Sequence, residues 1–123
     1  MASDELDKVE LPALEQLQSL GWSYVEGAKL SPDESDERSS LKDVVLEKRL
    51  TTSLKRINPW INDENLRKVI RELTKTLYPN LVEANQGIWT QINQCISVMQ
   101  DLGKGNKGQT VHIIDFEHPE NNE

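Results

Sequence analysis

A chain of 123 residues, 36% hydrophobic and 28% charged, is long enough for one domain with a modest core and too short for two. Its apolar content excludes wholesale disorder, and no run approaches the roughly 18 apolar residues of a membrane-spanning helix. The net charge of -7 argues against a free-standing nucleic-acid binder, because phosphate contacts demand a basic face.

That charge is unevenly spread. Residues 1–40 carry 3 basic and 10 acidic side chains, residues 41–75 carry 9 and 5, and residues 76–123 carry 2 and 6, so only the middle third is electropositive. The start, MASDELDKVE, is acidic where a leader peptide would be basic, and a cytoplasmic chain is expected. The single cysteine, Cys95, excludes an intramolecular disulfide. Set between Ile92, Ile96 and Met99, it reads as a small buried hydrophobe.

In chain order, LPALEQLQSLG predicts a short helix. Pro12 suits its first position, Leu14, Leu17 and Leu20 fall at helical spacing, and Gly21 can end it in a left-handed conformation. WSYVEG then alternates Trp22 and Tyr24 with smaller residues and predicts a short strand packed on that helix. SPDESDERSS has no apolar residue and predicts an exposed loop.

From about Leu41 the pattern is helical. Leu46, Leu50, Leu54 and Ile57 recur every three or four residues until Asn58-Pro59 stops the run. A second helix is expected from Asn62-Asp63, with Leu66, Val69, Ile70, Leu73 and Leu77 as its apolar stripe and Pro79 as its end. A third is expected from about Asn80 to Leu102 through Ile88, Ile92, Ile96 and Met99, with a possible break at Gly87. GKGNKG is then a turn. Val111, Ile113, Ile114 and Phe116 in TVHIIDFEHPENNE predict a closing strand with no later strand to pair with.

Few residues suggest chemistry. Pro32-Asp33 and Glu47 faintly suggest a metal-dependent nuclease pair, but Asp33 lies in a loop, Glu47 in a helix, and the position two beyond it is Arg49 rather than lysine. Asp115 and Glu117 would share a strand face with His118 nearby and His112 out of register, which favours an ordinary polar face over a cation site. GKGNKG lacks the order of a phosphate-binding loop. Arg67, Arg71 and Lys75 recur every four residues, with Arg49, Lys55 and Arg56 on the preceding helix. They offer either a phosphate-contacting stripe or a solvated face answering the acidic loop Asp33 to Glu37.

From the residues alone the fold class is α+β, mostly helical with short strands near both ends, and without a complete active site. A resemblance adds to this. LPALEQLQSLGW with YVEG, KRLTTSLKRINPWI, LVEANQGIW and VHIIDFEHPENN, in that order, resemble the amino-terminal region of the R (restriction and motor) subunit of type I restriction-modification enzymes. The INPWI and IDFEHPENN stretches are the most specific, and the resemblance covers nearly the whole chain.

The resemblance implies a nuclease domain of the restriction-endonuclease-like (PD-(D/E)xK) fold, followed in the full subunit by an ATP-dependent helicase-like motor. It implies Mg²⁺-dependent cleavage of double-stranded DNA, with DNA and the methyltransferase and specificity subunits as partners and no membrane. Glu15 occupies the position of a carboxylate that supports the metal in such nucleases, and is equally readable as a solvent-facing glutamate. The catalytic Asp, Glu and Lys and the motor motifs are absent from these residues.

Residues 1–123 are therefore expected to be the N-terminal part of the nuclease domain, cut off before the catalytic strands, holding neither Mg²⁺ nor ATP itself and inactive alone. Arg49, Arg67, Arg71 and Lys75 are its DNA-backbone candidates. The lone closing strand makes self-association a further expectation. The alternative is a small helical interaction protein that binds or regulates the restriction complex.

Overall fold

The computed structural model describes residues 2–75 and 79–123. Helical structure begins earlier than the sequence suggests: α1 (Ala2–Glu5), a π-helical segment Leu6–Glu10 and α2 (Leu11–Ser19) follow one another without a break. Pro12 lies in the first turn of α2 but inside this continuous helical run, where it has no N–H to bond the preceding turn, so it does not open the helix as its sequence position suggests; Gly21, at φ +97°, ends the run as expected. Leu14 is half-buried, but Leu17 and Leu20 are exposed.

The strand expected over Trp22–Gly27 does not form. Residues 22–26 pair with no strand, the Trp22 N–H bonding instead to the Leu17 carbonyl at 3.1 Å, Trp22 remains 64% exposed, and a 3₁₀ turn, Gly27–Leu30, takes up the end of the stretch. Alternation alone is insufficient where no neighbouring strand accepts the hydrogen bonds. Strands therefore lie only near the C-terminal end of the described chain. The loop after Leu30 is irregular, as expected, although Glu37 and Arg38 within it are half-buried.

The first helix of the middle region, α3 (Glu47–Ile57), starts six residues later than its apolar pattern predicts. Asp43 explains the delay. Its carboxylate accepts the N–H groups of Ser39 and Ser40, both at 3.1 Å, and the Ser39 hydroxyl at 2.8 Å, a local side-chain turn that competes with helix. At its other end α3 stops at Asn58, ahead of Pro59.

Asn62 caps α4 (Asp63–Thr74), its side-chain oxygen accepting the Asn65 N–H at 2.8 Å. Leu66, Val69 and Ile70 are buried and Leu73 half-buried, as the stripe predicts; Leu77 lies outside the described residues. The helix ends at Thr74, well before Pro79. Asn80 caps α5 (Leu81–Gln94) in the same way, through the Glu83 N–H at 2.9 Å, and α5 runs through Gly87 unbroken.

Beyond Gln94 the helical expectation fails. Cys95 takes φ +67° and ψ 175°, and the chain turns into β1 (Ile96–Asp101) with strict alternation of buried and exposed residues. Cys95 itself is only half-buried. Only the first half of GKGNKG is a turn between two strands, its Asn106, Lys107 and Gly108 being in the second strand: Gly103 and Gly105 adopt left-handed φ, and their N–H groups bond to the Asp101 carboxylate at 2.7 and 3.0 Å.

The closing strand is β2 (Asn106–Val111), four residues earlier than predicted, and it has a partner. It pairs antiparallel with β1 in the register Ile96↔Val111 through Asp101↔Asn106. Ile113, Ile114 and Phe116 lie beyond it in an irregular segment that ends in a 3₁₀ turn, Pro119–Asn121.

One apolar cluster holds these parts together. Leu54 of α3, Ile61, the α4 stripe, Ile96 and Val98 of β1 and Val111 of β2 are buried, with Leu50, Trp60, Leu73 and Ile113 around them. Each such aliphatic side chain contributes about 1.5–3 kcal/mol on burial. Among the described residues, Asp4 to Ser19 add none to this cluster.

Candidate functional site

The α4 amphipathicity that buries Leu66 and Val69 turns Arg67, Lys68 and Arg71 outward. Arg67 and Arg71, one helical turn apart, line a shallow cavity of about 280 Å³ with Glu47, Ile70 and Thr74. Among the described residues neither arginine makes an ion pair. Lys75 is exposed as well but stands just past the helix, its N–H bonding to the Arg71 carbonyl. Cationic side chains left unpaired on a net acidic chain are suited to an external anion.

Arg49 is placed differently. Its Nε donates to Glu37 Oε2 at 2.6 Å and one terminal nitrogen donates to Glu123 Oε1 at 2.8 Å. These carboxylates raise the Arg49 pKa above its ordinary value, and the Arg49 guanidinium in turn lowers that of Glu37. Arg56 and Ser53 also reach Glu123, at 3.6 and 3.3 Å, and Lys48 pairs with Asp36. The acidic loop is thus answered by α3 and not by the α4 stripe. Arg49 clasps that loop and the C-terminal segment to one helix, with its charge already met.

The candidate metal carboxylate, Glu15, is exposed on α2. Asp33 lies in a turn after the 3₁₀ segment, whereas Glu47 opens α3 beside Arg67 and Arg71. No three His, Cys, Asp or Glu side chains converge among the described residues, so this donor set does not fit a divalent ion, and no step is assigned to one.

Asp115 is committed to its own loop. Its carboxylate accepts the N–H groups of Glu117 and His118 at 3.2 and 2.9 Å and the Asn121 side-chain amide at 2.9 Å, while Asn122 bonds to its backbone N–H and C=O at 2.9 and 3.0 Å. The Asn121 hydrogen bond, followed by that from the His118 N–H, holds the Asp115 pKa below its ordinary value. DFEHPENN is therefore a loop whose acid and two asparagines bond to each other. His112 stands apart from this loop, its Nδ1 3.4 Å from Cys95 Sγ.

Three buried amides went unread in the sequence. Asn58, fully buried, donates to the carbonyls of Leu54 and His112 at 3.0 and 2.8 Å and accepts the His112 N–H at 2.9 Å. Asn65 donates to the Met99 carbonyl and to Gln100 Oε1, both at 3.0 Å. Gln100 accepts the Asn62 N–H at 3.0 Å and donates to the Trp60 carbonyl at 2.6 Å. Together they sew the INPWI turn to the hairpin. The alternation that places Gln100 on the buried face of β1 is the signal that would have found one of them.

The segments INPWI and VHIIDFEHPENN, distant in sequence, are thus joined in space. Residues 3–123 match the family model described as type I restriction enzyme R protein N terminus. A putative type I restriction enzyme MjaIXP endonuclease subunit of Methanocaldococcus jannaschii is 31% identical over 115 residues, covering 94% of this chain and 11% of that protein. The type I restriction enzyme HindI endonuclease subunit of Haemophilus influenzae is 30% identical over 115 residues, covering 93% of this chain and 11% of that protein. The chain thus spans about a tenth of the length of these relatives. No solved structure gives a significant match. With nearly every residue inside the match, this chain belongs to the family of type I restriction enzyme R protein N-terminal regions.

Proposed function

We propose that this chain is the leading part of the nuclease domain of a type I restriction enzyme R subunit, a restriction-endonuclease-like domain whose catalytic strands lie outside these residues. The family match over residues 3–123 carries this reading. In the full-length subunit the activity is ATP-dependent translocation coupled to Mg²⁺-dependent double-strand cleavage of foreign DNA. DNA and the methyltransferase and specificity subunits are then its partners, in the cytoplasm.

Within that domain the role of these residues is to frame and to position. The Asn58, Asn65 and Gln100 network fixes the helix pair on the hairpin, and Arg67, Arg71 and Lys75 meet the DNA backbone. Arg49, occupied by Glu37 and Glu123, serves the frame instead. Mg²⁺ and ATP belong to the longer protein. The test is incubation of supercoiled plasmid with the pure 123-residue chain and Mg²⁺. No nicking is expected; Mg²⁺-dependent nicking abolished by Glu15→Ala would overturn the reading.

A further inference from the structure

The backbone pairing leaves one edge of the hairpin open. The His112 N–H and C=O both bond to the Asn58 side chain, so they point away from β1. Alternation along an antiparallel strand then turns the backbone groups of Thr110, Gly108 and Asn106 the same way. The Met99 carbonyl, opposite Gly108 in the register, bonds outward to Asn65 and fixes the same parity on β1. Beyond the Asn58 bracket, no hydrogen bond meets the outward groups of Asn106, Gly108 and Thr110 among the described residues.

We propose that this edge of β2 is a docking edge for a second copy of the chain, paired antiparallel about a two-fold axis at Gly108. The edge is self-complementary in that register. Gly108 faces Gly108 of the other copy, Asn106 faces Thr110, and Lys107 faces Gln109, so no like charges stand directly opposite one another. Each of the pairs Asn106 with Thr110 and Gly108 with Gly108 exchanges both of its N–H···O bonds, and two hairpins become one four-stranded sheet. A two-stranded hairpin is marginal alone, and a long uncovered edge is a template for strand pairing. The proposal rests on the edge geometry of these residues, and absence of the dimer would leave the nuclease reading untouched.

Light scattering over a dilution series tests it, with amide exchange as a second measurement. The wild-type chain should approach twice its 14.0 kDa mass as concentration rises, with the Gly108 and Thr110 amides gaining protection in parallel. A side chain at Gly108 fits the single copy, since an added Cβ would meet only Ser97 Oγ at 3.5 Å and Met99 Sδ at 4.0 Å. Gly108→Lys and Gly108→Glu should therefore each be folded and monomeric, by placing like charges face to face, and their equimolar mixture should recover the dimer. A monomeric wild type with rapid exchange at Gly108 and Thr110 at all concentrations would overturn the proposal. So would a dimer that Gly108→Lys leaves intact.

Discussion

The Asn58 side chain acts as a one-residue strand for His112: its Oδ1 accepts the His112 N–H at 2.9 Å and its Nδ2 donates to the His112 carbonyl at 2.8 Å. The same Nδ2 donates to the Leu54 carbonyl at 3.0 Å, so one amide terminates α3 and anchors the end of β2. The two ends of this bracket lie 54 residues apart in the sequence, which makes it a tertiary constraint and not a local cap.

Removing that amide should be costly. Asn58→Ala deletes three hydrogen bonds and leaves a gap at a fully buried position. A loss of about 2–4 kcal/mol in urea-induced unfolding is expected. Asn58→Asp keeps the acceptor for the His112 N–H but loses both donations, and should also be destabilised. A change below about 0.5 kcal/mol for Asn58→Ala, ordinary for surface positions, would show that the bracket is not what holds the hairpin to α3.

Cys95 is, among the described residues, the non-glycine residue with positive φ, and φ +67° with ψ 175° is a region that glycine alone enters freely. Since the side chain is only half-buried, relief of backbone strain should outweigh its loss. Cys95→Gly is expected to raise stability by about 1 kcal/mol, read as a higher midpoint in thermal unfolding. Cys95→Val, β-branched at the same position, should lower it. The opposite order would mean that packing and the His112 contact dominate the site.

The same corner shows why parts of the fold were hidden in the sequence. Ile92, Ile96 and Met99 are spaced by four and three, the signature of a helix, and no glycine marks the turn at Cys95, so a helix and a strand read as one element. By contrast, Asn62 and Asn80 announce their helices correctly, because a cap is a local interaction that the sequence displays directly. Ile113 to Phe116 looked like a strand because its apolar residues alternate. Asp115 instead spends its carboxylate on Glu117, His118 and Asn121, and a turn displaces the strand. For the candidate site, the outward stripe of Arg67 and Arg71 was legible from helical period, whereas the commitment of Arg49 to Glu37 and Glu123 was not, since Glu123 is remote in sequence.

Acid should loosen the DFEHPENN loop. The folded Asp115 pKa lies below its ordinary value of 3.8, so its contribution is complete at neutral pH and above about that value, and is lost as pH falls through the lower, folded pKa. Glu37, Asp36 and Asp43 are depressed too, by Arg49, Lys48 and Ser39 respectively, and add to the same acid-side loss. Amide chemical shifts of Glu117 and His118 should titrate together with the Asp115 carboxyl, with a midpoint below 3.8. Asp115→Asn should remove that transition and leave the shifts around Asp43 unchanged. A midpoint above the ordinary value would contradict the hydrogen-bonded loop.

The two classes of arginine separate in a binding experiment. On the proposed reading, Arg67 and Arg71 are unpaired and exposed and so would release counterions from duplex DNA, while the charge of Arg49 is already neutralised by its ion pairs with Glu37 and Glu123. In low-salt fluorescence anisotropy with a short duplex, the double variant Arg67→Ala, Arg71→Ala should bind more weakly. Its log–log salt slope should be shallower by about 1 for each phosphate contact removed. Arg49→Ala should leave both affinity and slope nearly unchanged and instead lower the melting temperature, because it frees the acidic loop and Glu123 together. Lys75→Ala, at a position just past the end of α4, should lose less than either α4 arginine. Should Arg49→Ala abolish binding while the double variant binds normally, the DNA-facing surface would be α3, and the clasp seen at Arg49 would have to open before DNA could reach it.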